Sequence, residues 1–431
     1  MHLSQIYLSN IFSLREEVVL DLQAATLQTS AARALSGNVF SCGDETLLKS
    51  VGIIGANASG KSNVIKAIRA FISIIRESHN YNENTKFAVM PFKFDGCLDK
   101  PSSFYIRFLL EGTEYEYSFS VSHDNILTES LFYYPNGRRS LVFQRDETKA
   151  AAKRGQTSSL DLPSGSRLGT VKAAAKRGQT SSLDLPSESR LGEANAGEKK
   201  EAYSFQKAIT RPQDVVANTS RKTLFLSRAS QMDREIAKKV FRFFTDQIII
   251  DFNKKAAINL DAVSAMDKAR LLTILQEADS DIVDVRVQNG MLVTFHHNNP
   301  AIPFDFETEE SEGTKTLFRL MLGIMNAVDY GKLLIVDEIE SSLHTKLVEF
   351  IIDMFHKSEN AQLLYTTHNT HLLNMHRIRR DQVCFVNKRR DGSSDLYSLY
   401  DYKDFRDTMD LEKAYLQGRF DAIPYILNQK G

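Results

Sequence analysis

The sequence predicts an α/β protein in which a parallel sheet, covered by helices on both faces, joins an antiparallel β-subdomain. A helical insertion and a disordered linker separate the two ends of that sheet. Three patterns carry the prediction. A glycine loop beginning at Gly55 sits between a short apolar run and a stretch of helical spacing. Between Phe104 and Val142 the apolar period falls to two, and the segment is rich in Tyr and Phe. From Leu317 onward, helical and strand-like stretches alternate, which is the signature of a parallel sheet buried on both faces.

Taken in order, Leu3, Ile6 and Leu8, then Val18, Leu20 and Leu22, alternate with polar residues, and Met1 to Leu22 reads as a two-stranded hairpin. Val51 to Ile54 is the strand before the glycine loop, and Val64, Ile65, Ile68, Phe71 and Ile72 mark the helix after it. Within the aromatic sheet, Pro135-Asn136-Gly137 is a turn signal. Helical spacing returns at Leu224 to Phe244 and Val263 to Ala278, read as arms or lids projecting from the main body. The closing series is a helix at Leu317 to Val328, a strand at Leu333 to Val336, a helix at Thr345 to His356, a strand at Gln362 to Thr366 and a strand near Val383 to Val386. Four regions follow: an N-terminal lobe (1–145), a linker (146–203), a helical insertion (204–280) and a C-terminal lobe (281–431).

The linker holds a tandem duplication. Lys149 to Gly169 recurs as Lys172 to Gly192, identical except for Gly165 against Glu188. Two copies are too few to stack a solenoid core, and each offers little beyond Ala, Lys, Arg, Ser and Gly, so the segment reads as disordered. A second reading is a basic arm that touches nucleic acid through Lys153, Arg154, Lys176 and Arg177.

Composition narrows the function classes. The chain has 431 residues, 42% of them hydrophobic and 25% charged, enough for a large buried core. With no apolar run near membrane-spanning length and no signal-peptide pattern at the N-terminus, a soluble cytoplasmic protein without membrane partners is expected. Its formal net charge is zero, so no global field selects nucleic acid or an anionic membrane. Cys42, Cys97 and Cys384 are scattered and odd in number, which removes a disulfide framework and a CxxC metal site.

Gly55-Ala56-Asn57-Ala58-Ser59-Gly60-Lys61-Ser62 fits GxxxxGK[ST] and lies between a strand and a helix, the context the motif needs. Such a loop turns backbone N–H groups onto phosphates, and the helix start adds favourable partial charge. Gly55, Asn57, Ser59, Gly60, Lys61 and Ser62 are therefore candidate ATP ligands. Lys61 is expected to reach the β- and γ-phosphates, and Ser62 to place its hydroxyl on Mg²⁺. The second motif is Leu333-Leu334-Ile335-Val336-Asp337-Glu338, an apolar strand ending in two carboxylates. Asp337 is the expected second metal-side residue, and Glu338 the group that polarises the attacking water. Taken alone, a strand ending in Asp-Glu is an ordinary solvated turn. Ser341-Ser342-Leu343-His344 directly after it, and His368 at the end of the next strand, supply the context. A metal site of His368, His371 and His376 is disfavoured for lack of Cys or acidic ligands at suitable spacing, and His296 and His297, in a predicted strand, read as surface residues.

The order of these segments, with Ser311-Glu312-Gly313-Thr314-Lys315 between them, resembles the ABC-class ATPases of the SMC, RecF and OLD group. Within that group the chain looks most like the AbiL-like ATPases of bacterial abortive-infection operons. The run Ala414-Tyr415-Leu416-Gln417-Gly418-Arg419-Phe420 with Ala422-Ile423-Pro424 adds to the likeness. The resemblance implies an ABC-type P-loop ATPase head, Ser311 and Gly313 in the signature loop, Ser341 and Ser342 in the D-loop, and His368 as the switch histidine. The signature loop departs from the usual LSGGQ wording, and no Q-loop glutamine is assigned. The resemblance also implies a homodimer or larger homo-oligomer, in which one subunit's signature serine completes another's nucleotide site.

Two functions follow as expectations. The first is a Mg²⁺-dependent ATPase serving as sensor or scaffold of a phage-defence system. It would respond to DNA or a phage protein and control a separately encoded effector, expected to be a nuclease. The OLD relatives append a TOPRIM nuclease, whereas only about sixty residues follow His368 here, and Asp391 and Asp395 do not form a DxD pair. The alternative is a RecF-like DNA-repair or DNA-maintenance ATPase acting directly on DNA. No sustained heptads mark a long coiled coil. A transporter subunit is disfavoured by the roughly 280 residues between Lys61 and Asp337.

Overall fold

In the computed structural model the described residues are 1–27, 29–148, 202–206, 208–250, 265–277, 281–406 and 409–422. The duplicated segment, the first residues of the expected helix at Val263 and the Ile423-Pro424 pair lie outside them.

Eighteen strands are seen among the described residues: β1 (His2–Ser9), β2 (Val18–Asp21), β3 (Val39–Cys42), β4 (Glu45–Leu48), β5 (Ser50–Ile54), β6 (Ser102–Leu110), β7 (Thr113–Val121), β8 (Ile126–Tyr133), β9 (Ser140–Asp146), β10 (Tyr203–Phe205), β11 (Ile248–Ile249), β12 (Ile282–Gln288), β13 (Met291–His296), β14 (Pro303–Asp305), β15 (Leu333–Val336), β16 (Gln362–Thr367), β17 (Val383–Lys388) and β18 (Ser394–Ser398). The core sheet runs β11-β15-β16-β5-β17-β18 and is parallel up to the final, antiparallel pair. An early strand, β5, thus lies between two late ones. The chain closes its core only when segments about 300 residues apart in sequence meet.

Strand alternation explains why both faces are covered. Leu333, Ile335 and Leu364 enter the cluster built on helix Lys61–Glu77, while Leu334, Val336, Leu363 and Tyr365 enter the one built on helices Glu312–Asp329 and Thr345–Lys357. Every residue of β5, β15 and β16 is buried, as expected for strands sandwiched between helices. Helix Lys61–Glu77 presents Ile68, Phe71 and Ile75 inward, and Phe71 stacks on Phe119 at 5.1 Å. That contact joins the helix to the seven-stranded antiparallel sheet, ordered β10-β9-β8-β7-β6-β1-β2. The N-terminal hairpin and the aromatic strands therefore belong to one sheet. Gln362 stitches the two sheets together, accepting from Leu3 N at 2.8 Å and donating to Leu3 O at 2.9 Å.

The arm expected at Leu224 to Phe244 needs correction. This stretch forms helices Phe225–Gln231 and Glu235–Asp246, and both are core elements. Phe225, Phe243 and Phe244 are fully buried, and Phe243 stacks on Phe108 of the antiparallel sheet at 4.3 Å. Burying each such ring is worth about 2–3 kcal/mol, which holds the helices down rather than letting them project. Glu129, itself buried on β8, accepts from Phe225 N at 2.6 Å and Leu226 N at 2.9 Å. The described part of helix Ala265–Glu277 is also packed, through Leu271, Ile274 and Leu275. At the Pro135 turn, Asn136 and Gly137 take positive φ of 58° and 71°. Of the small β12–β13–β14 sheet the sequence shows only the strand at His296, and the β3–β4 hairpin and β18 were not foreseen.

Candidate functional site

The glycine loop leaves the end of β5 and enters helix Lys61–Glu77 through Gly60, whose φ of 113° is closed to most side chains. A Cβ on Gly60 would also collide with the hydroxyls of Ser394 and Ser13. These two serines form a bracket beneath the loop. Ser394 Oγ donates to Ser59 O at 2.6 Å and lies 2.8 Å from Ser13 Oγ, while Asn63 Nδ2 donates to Ser13 Oγ at 2.8 Å. Neither serine was singled out from the sequence. Gly55 is likewise crowded, against the Val386 carbonyl and the Ser59 hydroxyl. Asn57 and Ala58 are exposed at the tip, and Ser59 Oγ is a buried polar atom without a hydrogen-bond partner.

Lys61 is buried and curls over its own loop, donating to Gly55 O at 2.7 Å and Ala56 O at 3.0 Å. Burial pulls its pKa down; Glu340, Glu338 and Asp337 push it back up. The ammonium therefore faces a local field of three carboxylates.

Two parallel strands then bring the second motif to the loop. Ser62 Oγ donates to Asp337 Oδ1 at 3.3 Å. Thr366 Oγ1, fully buried on β16, donates to that same oxygen at 2.6 Å and accepts from Glu338 N at 2.7 Å. The pairing of Val336 with Tyr365 sets this contact, because it places the ends of β15 and β16 side by side. Glu338 takes a left-handed φ of 51°, unusual for a residue with a side chain, and its carboxylate is exposed.

Beyond it, Glu340 turns back under the strand ends. Its Oε1 accepts from His368 N at 2.7 Å and lies 2.8 Å from His368 Nδ1. Ser342 has φ of 63°, and Gly313 packs so close to the Ser342 carbonyl that an added Cβ would sit 3.0 Å from it. Ser311 caps helix Glu312–Asp329, accepting from Thr314 N at 3.0 Å. The fold thus gathers Lys61, Ser62, Asp337, Glu338 and His368 around one loop. Gly313 instead meets the Ser342 carbonyl, and no hydrogen bond among the described residues joins it or Ser311 to the glycine loop. The other histidines are dispersed: His371 Nδ1 lies 3.1 Å from Glu412, His376 and His297 are exposed, and His296 Nε2 is 2.8 Å from Glu310.

A Mg²⁺ ion fits the donor chemistry. A hydroxyl and a carboxylate, hard oxygen ligands of the kind this ion takes, converge from two elements at Ser62 and Asp337.

Parallel strands with a glycine loop at the carboxyl end of β5, and an Asp-Glu pair just past the end of β15 with β16 between them, define a P-loop ATPase fold of the ABC-like kind. Consistent with this, residues 50–374 match the family model described as "AAA domain, putative AbiEii toxin, Type IV TA system". The chain belongs to that family. Among solved structures it is similar to the SMC head domain from Thermotoga maritima, with 13% identity, 92% of this chain and 99% of that one covered, and a TM-score of 0.38. It is also similar to an SMC head bound to the C-winged helix domain of ScpA, with 14% identity, 96% and 100% coverage, and a TM-score of 0.40. No curated protein matches the chain. No helix among the described residues is long and apolar enough to cross a membrane.

Proposed function

We propose that this chain binds ATP with Mg²⁺ and hydrolyses it, and that the nucleotide cycle drives a sensor or scaffold subunit of an abortive-infection system. The observation that carries the hydrolytic reading is the Ser62–Asp337–Thr366–Glu338 network, which ties the phosphate loop to a carboxylate pair. When bound, Mg²⁺ would neutralise charge on the β- and γ-phosphate oxygens, held by Ser62 and Asp337. Lys61 would exchange its two loop carbonyls for phosphate oxygens, a charge-assisted and stronger pairing. Glu338 would orient a water and accept its proton as the water oxygen bonds to the γ-phosphorus and the bond to the β-phosphate oxygen breaks. His368 would meet the γ-phosphate.

Ser311, exposed at its helix start beside the half-buried Gly313, favours a site completed by a second copy of the chain. Abortive infection is favoured by the AbiEii description of the family, and a separately encoded effector remains the output that this reading requires. To be controlled, that effector must bind the two nucleotide states with different affinity, since equal affinity shifts nothing. The test is Glu338→Gln, purified with ATP and Mg²⁺ and analysed by light scattering, turnover and co-purification with products of neighbouring genes. Retained ATP, turnover lowered at least a hundredfold, a dimeric or larger particle and altered effector binding are expected. Wild-type turnover, or a particle that stays monomeric at micromolar concentration, would overturn the composite-site reading.

A further inference from the structure

We infer that Tyr415 is a positioning residue for Lys61: it steadies the Ala422 carbonyl, which holds the Gly55–Ala56 peptide so that the Gly55 carbonyl is aimed at the lysine ammonium. The functional consequence rests on the nucleotide reading proposed above, but the structural content does not.

The segment from Asp410 to Ala422 folds back on itself. Helix Leu411–Leu416 is followed by Gly418, whose φ of 78° reverses the chain, and Asp421 takes a second left-handed φ of 53°. Gly418 N donates to Tyr415 O at 2.9 Å and Arg419 N to Ala414 O at 3.2 Å, and the chain returns Ala422 to the side of Tyr415. There the Tyr415 hydroxyl donates to Ala422 O at 3.0 Å. Tyr415, Phe420 and Ala422 are all buried, and the rings of Tyr415 and Phe420 stack on Phe385 at 5.7 and 4.9 Å. Phe385 pairs with Ile54, the residue directly before the glycine loop. The segment therefore packs against the root of that loop.

A backbone hydrogen bond then reaches the loop itself, from Ala56 N to Ala422 O at 3.1 Å. In a trans peptide the N–H and the C=O of one unit point in opposite directions. Fixing Ala56 N–H on Ala422 thus turns the Gly55 carbonyl the other way, where it accepts from Lys61 Nζ at 2.7 Å. Glycine leaves such a peptide free to turn, so the choice of orientation comes from the outside partner. That partner is a carbonyl with two lone pairs, one facing Ala56 and the other the Tyr415 hydroxyl, which leaves it satisfied and fixed. Lys61 is buried and lies over its loop before any phosphate arrives, and a loop already ordered loses less freedom on binding. The same segment also reaches the other loop of the proposed site, because Glu412 accepts from Thr370 Oγ1 at 2.8 Å, two residues beyond His368.

The Gly-Ala pair occurs in the sequence only at Gly55-Ala56. The full chain labelled with ¹³C-carbonyl glycine and ¹⁵N-alanine therefore gives one carbonyl-to-amide correlation, that of Ala56. Without nucleotide, this amide is expected to exchange slowly with solvent in wild type. In Tyr415→Phe, which keeps the ring and removes the hydroxyl, exchange should be about fivefold faster or more, the scale of one neutral hydrogen bond. An unprotected Ala56 amide in wild type, or equal exchange in folded Tyr415→Phe, overturns the inference. Calorimetric titration with ATP and Mg²⁺ gives the second arm: Kd should rise about fivefold in Tyr415→Phe, whereas adding the same change to Lys61→Ala should leave Kd within about twofold, because the two residues act as one unit. Equal weakening in both backgrounds would make Tyr415 a merely structural residue and overturn the inference. If Tyr415→Phe does not fold, the wild-type exchange rate decides. A wild type with a protected Ala56 amide and no ATP binding would sink the nucleotide reading and leave the peptide assignment standing.

Discussion

Thr366 is the hinge of the proposed site, and replacing it by valine isolates its hydroxyl. Valine keeps the β-branched shape that suits a buried strand, so no cavity opens in β16. Two interactions disappear, the 2.6 Å donation to Asp337 Oδ1 and the 2.7 Å acceptance from Glu338 N. A hydrogen bond to a charged group contributes about 1.5–3 kcal/mol and a neutral one about 0.5–1.5 kcal/mol. Asp337 is only partly buried and still reaches Ser62, so the loss should fall in the lower half of that range, about 2–3 kcal/mol. The functional cost arises because the lost acceptor also holds Glu338 in its left-handed conformation. At about 1.4 kcal/mol per decade, a similar energy released at the transition state lowers kcat roughly ten- to a hundredfold. Urea unfolding followed by tyrosine fluorescence, together with steady-state ATP turnover, measures both effects. Thr366→Ser, which keeps the hydroxyl, should recover turnover to within a few-fold of wild type. A folded Thr366→Val protein with wild-type kcat would show that this hydroxyl does not hold Glu338 for catalysis.

Other perturbations have defined outcomes. Gly60→Ala places a methyl at φ 113° against the Ser394 and Ser13 hydroxyls. Overpacking alone costs about 1–3 kcal/mol, so ATP affinity is expected to fall at least tenfold, and calorimetric titration with unchanged affinity would contradict this. His356 is buried beside Lys49 and Arg377, and burial chiefly lowers its pKa from 6.5 to about 4. The unfolded chain therefore binds the extra proton first. The stability that neutral His356 contributes is complete above pH 6.5 and is lost as pH falls toward 4. His356→Gln should flatten the acid limb of a plot of urea midpoint against pH over that window, and an unchanged limb would show that other groups set it.

Much of the fold was legible because its signals are local. The run from Val51 to Ile72 carries strand, glycine loop and helix in about twenty residues, and β6 to β9 declare themselves through alternating aromatic residues. The helices at Phe225 and Glu235 were legible as helices and misplaced as arms. An apolar face shows that something must cover it, whereas the cover, Phe108 and Tyr117 on strands more than a hundred residues earlier, is a property of topology. The rest of the β12–β14 sheet was missed because β12 ends in exposed positions such as Arg286 and Gln288 and β14 has three residues. At the site, motif spacing picked out Lys61, Ser62, Asp337, Glu338 and His368. Ser13, Ser394 and Thr366 fall in no motif: backbone and side-chain bonds between β18 and the loop after β1 join the two serines, and the pairing of β15 with β16 brings Thr366 to Asp337. A local signal for Glu340 did exist: a third carboxylate two residues after an Asp-Glu pair, in a turn that the next strand must cover.

The proposed Mg²⁺–ATP site is a single one, built from the two ends of the chain. Calorimetric titration of ATP with Mg²⁺ into wild type and Lys61→Ala tests it most directly, with melting curves to show that both are folded. Lys61 contributes the buried positive charge at the loop, so its loss should weaken binding by at least tenfold, about 1.4 kcal/mol, while the melting temperature stays within a few degrees. A wild type that takes up no ATP, or a folded Lys61→Ala protein that binds it as tightly as wild type does, would contradict the account.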